Sequence, residues 1–112
     1  MKFIENDEIR YIVGENANDN WEVLKLAQQN WIWFHLDNLS SPYVILSFPL
    51  NKLKKLHNNW KEYINYGALL CKNNSKYSKK TVNVMWTLCK NVSFGTRVGE
   101  AIITGKNNII MC

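Results

Sequence analysis

The chain has 112 residues, 46% of them hydrophobic and 21% charged, a balance that builds one hydrophobic core and excludes a disordered or fibrous polypeptide. No apolar run approaches the roughly 20 residues needed to cross a bilayer, and the opening Met1–Glu8 lacks a signal-peptide core, so a cytoplasmic location and no membrane partner are expected. The net charge of +5 is uneven: residues 1–37 carry three basic and seven acidic side chains, residues 38–112 eleven basic and two acidic, which suits either a polyanion-binding half or a solvated basic face.

In chain order, Lys2–Glu5 and Ile9–Val13 are strand-like runs separated by Asn6-Asp7-Glu8, which reads as a hairpin. After Gly14, several polar residues offer N-caps, and Trp21, Leu24 and Ala27 at helical spacing predict a short helix over about residues 18–28. A single glycine there does not make a phosphate-binding loop.

Residues 31–36, Trp-Ile-Trp-Phe-His-Leu, predict a strand with two unlike faces. Ile32, Phe34 and Leu36 form an apolar face expected in the core, while Trp31, Trp33 and His35 share the other. Asp37–Pro42 turns the chain, and Tyr43–Phe48 predicts a second strand antiparallel to the first, ended by Pro49. These two strands are expected at the centre of the sheet. Lys52–Leu56 fits a helical turn or a loop. Trp60, Tyr63, Ile64, Gly67, Ala68 and Cys71 then follow the spacing of an amphipathic helix, with Asn58 or Asn59 as N-cap.

Residues 73–80 read as a polar basic loop, and Val82–Leu88 alternates as a half-buried strand. Ala101–Thr104 and Asn108–Met111, flanking Gly105-Lys106-Asn107, predict a last hairpin. The order β-β-α-β-β-α-β-β-β gives a single α+β domain over residues 1–112, an antiparallel or mixed sheet of about six to seven strands with two main helices. Cys71, Cys89 and Cys112 are odd in number and widely spaced. They read as free thiols, and with two histidines they lack the spacing of a metal site.

Trp33-Phe34-His35 followed by Ser40-Ser41 and a Val-Ile-Leu strand, preceded by Val13-Gly14 and Asn20, and followed by Val82–Thr87 and Gly99, resembles the NFACT-R domain. That module occurs toward the C-terminus of large ribosome-quality-control proteins and also in short forms. The resemblance spans nearly the whole chain and implies an α+β nucleic-acid-binding module with no cofactor and no enzymatic activity. RNA, as tRNA or rRNA, is the implied ligand, with a link to translation or ribosome quality control; DNA is the alternative. This chain departs from the family pattern at Glu15, where a basic residue is usual, at Trp31, where Asp is usual, and at Tyr43, where His is common.

The candidate nucleic-acid-binding residues follow. His35 could donate to phosphate or stack on a base, or be a satisfied half-buried histidine. Trp33, with Trp31, could stack bases or dock a ribosome-associated protein partner, unless a helix covers that face. Ser40 and Ser41 suit phosphate oxygens, or simply turn the chain before Pro42. Lys72, Lys76, Lys79, Lys80, Lys90 and Arg97 could line a phosphate track or form a solvated rim. A hydrolase using His35, a serine and Asp37 is disfavoured: the three lie within seven residues, and no nucleophile elbow is present.

Overall fold

The computed structural model describes residues 1–112. Its sheet is built outward from Ile32–Leu36 (β3) and Val44–Leu46 (β4), which pair antiparallel with Ile32 opposite Leu46 and Phe34 opposite Val44. Lys2–Asn6 (β1) and Ile9–Val13 (β2) continue the sheet beyond β4, and Asn83–Leu88 (β5) and Asn108–Met111 (β8) continue it beyond β3. The six strands lie in the order β1-β2-β4-β3-β5-β8, antiparallel throughout. The expected central position of β3 and β4 is therefore observed. No helix is long and apolar enough to cross a membrane.

The two faces of β3 are both covered, by different elements. Ile32, Phe34 and Leu36 pack under Trp60–Asn73 (α3), whose Tyr63, Ile64, Gly67, Ala68 and Cys71 face inward as their spacing predicts. Gly67 lies so close to the Phe34 ring that a Cβ there would collide with it. On the opposite face, Ala17–Leu26 (α1) and a small hairpin of Val92–Phe94 (β6) and Ala101–Ile103 (β7) bury Trp33, Ile45 and Tyr43. The sheet is thus the middle layer of an α+β sandwich.

Local chemistry explains the element ends. Asp7 and Glu8 form a two-residue turn between β1 and β2, both at positive φ (49° and 69°), as a hairpin of this length requires. Asn16 caps α1 by accepting the Asp19 N–H at 2.9 Å. Leu50–Leu56 (α2) is helical, with Pro49 at its N-cap and only Leu53 buried, which settles the stretch whose periodicity left helix and loop open.

The expected last hairpin is corrected. β7 pairs with β6, and β8 pairs with β5, so Gly105-Lys106-Asn107 connects two sheets and does not turn one strand onto its neighbour. Hydrogen bonds hold the crossing: Thr104 N–H to the Asn91 carbonyl at 2.8 Å, and Thr87 Oγ1 to the Lys106 carbonyl at 2.7 Å. With three residues, β6 was too short to show an alternating pattern.

Candidate nucleic-acid interface

One cleft of about 700 Å³ opens where five parts of the chain converge. These are the end of β2 with Gly14, the entry to α1, His35 near the end of β3, the Ser40-Ser41-Pro42 turn, and the segment after α3 with Asn74, Ser75 and Lys76. Val98 and Gly99 complete the rim. The volume lies within the usual range for small-ligand sites, but the wall is mostly polar, which suits a hydrophilic ligand.

A buried asparagine shapes this cleft. Asn20 on α1 accepts the Tyr43 N–H through Oδ1 at 2.9 Å and donates through Nδ2 to the Ser41 carbonyl at 3.4 Å. It therefore ties the helix to the turn that leads into β4. Gly14 packs against the same side chain, and any Cβ at residue 14 would strike Asn20 Oδ1. The glycine and asparagine are one fitted pair.

His35 is half-buried, stacked on Trp33 with ring centroids 5.6 Å apart and planes within 2°, and edge-on to Tyr43. Its Nδ1 lies 2.7 Å from the Leu36 carbonyl; a carbonyl only accepts, so Nδ1 carries the proton and Nε2 of the neutral ring is an acceptor. Burial pushes the pKa of His35 below its usual value, opposed by the Leu36 carbonyl, the Asp37 carboxylate and the Ser41 backbone. The neutral ring can accept from a ribose hydroxyl or a base N–H.

The two serines differ. Ser41 Oγ accepts the Leu36 N–H at 3.0 Å and lies 3.0 Å from the Pro42 carbonyl and 3.5 Å from Cys71 Sγ, so its hydroxyl holds the turn in shape. Ser40 is exposed on the cleft wall and makes no side-chain hydrogen bond. Cys71 is buried beneath the turn, and burial drives its thiol pKa up to about 12. The entry to α1 is occupied by its own side chains, since Asn16 Oδ1 accepts the Asp19 N–H and Asp19 Oδ2 accepts the N–H of Glu15 just before the helix at 2.8 Å.

Trp33 requires a correction. It is 2% exposed, closed beneath α1 and the β6–β7 hairpin, and its Nε1–H is buried without a hydrogen-bond partner. Neither base stacking nor protein docking can use that ring. Trp31 packs half-buried against the same cluster. Strand parity correctly separated the two faces, but parity cannot tell how many of them are covered.

The basic residues divide between two ends of the molecule. Lys76 lines the cleft, joined by Lys2, whose Nζ donates to Asn74 Oδ1 at 2.6 Å. Lys72 lies in the last turn of α3, and Lys79 and Lys80 are exposed in the turn that follows. Arg97 is exposed in the segment that continues to Val98 and Gly99 on the rim. Lys90 lies elsewhere, beside Lys54 and Lys106. None of these nine cations is in an ion pair. Sequence reasoning did not select Lys2, Asn16, Asn74 or Ser75 for the site, because only the folded sheet brings the first strand beside the end of α3.

No group of His, Cys, Asp and Glu is placed to hold a metal ion. Residues 1–110 match the family model described as the NFACT protein RNA binding domain. A search of curated proteins finds no match. Among solved structures, the C-terminal part of the fibronectin/fibrinogen-binding protein from Streptococcus suis is similar in fold, with a TM-score of 0.79 over 97% of this chain at 20% sequence identity. The chain spans 43% of that structure's length.

Proposed function

Because the chain belongs to the family of NFACT RNA-binding domains, we propose that it is a non-catalytic module that holds RNA in the cleft bounded by Gly14, His35 and Ser40. The observation that carries this reading is that Lys2 from β1 and Lys76 from the turn after α3 meet His35 and Ser40 on one polar cleft, while Lys72, in the last turn of α3, and Lys79 and Lys80, in the same turn as Lys76, stand outside any ion pair. In this reading the lysines neutralise phosphates, Ser40 donates to a phosphate oxygen, and His35 accepts from the sugar or base. Ser41 and Asn20 hold the cleft's shape. The absence of catalysis is supported by a buried Cys71 thiol, a Ser41 hydroxyl already bonded, and a His35 oriented by a backbone carbonyl instead of a carboxylate.

The finer assignment is to tRNA or rRNA, in translation or ribosome quality control in the cytoplasm, and it rests on the family's resemblance to modules of ribosome-quality-control proteins. A salt titration of tRNA and single-stranded RNA binding, with double-stranded DNA as competitor, tests it. With four phosphates contacted on a single strand, log affinity falls against log salt with a slope of about −3. No retention of either RNA at low salt overturns the proposal, and equal displacement by duplex DNA transfers it to DNA.

A further inference from the structure

At the other end of α3 the chain carries a second groove, of about 540 Å³, between Trp60 and Trp86. Lys54, Lys90 and Lys106 line it, and no acidic residue does. The nearest carboxylate along α3, Glu62, accepts from Asn59 Nδ2 at 3.1 Å. We propose that this groove is a second, independent nucleic-acid contact, which stacks unpaired bases on Trp86 and Trp60 while the three lysines take the phosphates.

Both indoles are half-buried, packed on one side against the core while lining the groove on the other. Trp86 shares a sheet face with Val84, which is fully buried, yet Trp86 is only partly covered. The reason lies in the register: β8 begins with Asn108 opposite Trp86, so Thr87 and Leu88 have no outer strand beside them. Trp60 likewise starts α3 at the open corner next to α2, whereas Tyr63 and Ile64 one turn later are buried. Lys54 Nζ rests 4.7 Å from the Trp60 ring centroid, an exposed cation–π contact weak enough for a stacked base and its phosphate to displace. Two half-buried indoles edged by cations outside any ion pair accept any base and read no sequence, which fits single-stranded RNA or DNA.

The groove and the His35 cleft lie at opposite ends of α3, about 20 Å apart at 1.5 Å per residue from Trp60 to Asn73. One RNA could therefore be gripped at two points, and each grip can fail alone.

The test is heteronuclear NMR of the 15N-labelled chain with a uridine tetranucleotide, its deoxy counterpart, and a tetraglutamate peptide. The Trp60 and Trp86 indole N–H resonances should shift with the oligonucleotides and stay in place with the peptide. A response to the ribose strand alone identifies RNA, and an equal response to both identifies single strands in general. The combined Lys54→Ala, Lys90→Ala and Lys106→Ala variant, all exposed positions, should lower the salt slope for a longer single strand by about 2, roughly a 20-fold smaller loss of affinity over a fourfold rise in salt. Trp86→Leu, checked for folding by circular dichroism, should abolish the Trp60 shift. Indoles that do not move, or that move equally with the peptide, overturn the proposal. Shifts confined to the His35 cleft overturn it and leave the cleft reading intact; shifts confined to the groove do the reverse.

Discussion

Asn20 Oδ1 accepts the backbone N–H of Tyr43 at 2.9 Å, and this buried bond fixes helix α1 against the start of β4. Asn20→Leu would leave that donor unsatisfied in the interior. The expected loss is about 1–3 kcal/mol, read as a lower urea midpoint at unchanged m-value. Gly14→Ala attacks the same contact from the other side and should destabilise comparably. Because both residues shape the cleft, RNA affinity should fall for each even where folding is retained.

Gly67→Ala pits two effects against each other. Alanine gains roughly 1 kcal/mol of helix propensity over glycine. The added methyl would meet the fully buried Phe34 ring, and forced overpacking costs about 1–3 kcal/mol. Phe34 lies at the centre of the core with no open side, so overpacking should win. Thermal unfolding is expected at a lower temperature than in the unchanged chain.

His35 makes stability depend on pH. Its folded pKa lies below the unfolded value of about 6.5 because burial disfavours the charged ring, so the unfolded chain binds the proton first. The contribution is fully present above pH of about 6.5 and is lost as pH falls through the folded pKa. Urea midpoints measured downward from pH 7.5 should decline, and His35→Gln should flatten the decline. A slope unchanged by that substitution would show that other groups are responsible.

Lys76→Ala, Lys79→Ala and Lys80→Ala combined should weaken RNA binding and reduce the salt slope by about 2, with the urea midpoint nearly unchanged because all three side chains are exposed and unpaired. Ser40→Ala should cost less than this triple change, whereas Ser41→Ala should appear as lost stability, since its hydroxyl bonds the Leu36 N–H.

By itself the sequence determined the periods: the alternation of residues 32–36, the helical spacing from Trp60 to Cys71, and the hairpin turning through Asn6-Asp7-Glu8, where the structure adds Asn6 to the strand, all formed as their local chemistry dictates. It also showed the basic half of the chain and the resemblance that names the family. Only tertiary structure decided what covers each face. Trp33 carries the same local pattern whether its face meets solvent or a second layer, and α1 with the β6–β7 hairpin supplies that layer. The pairing of β7 with β6 was decided in the same way, because a glycine turn is compatible with either partner and long-range hydrogen bonds at Asn91 and Thr87 select one. Lysines read as one track were parted to two ends of α3, since charge along a chain says nothing about distance in space until the sheet is assembled.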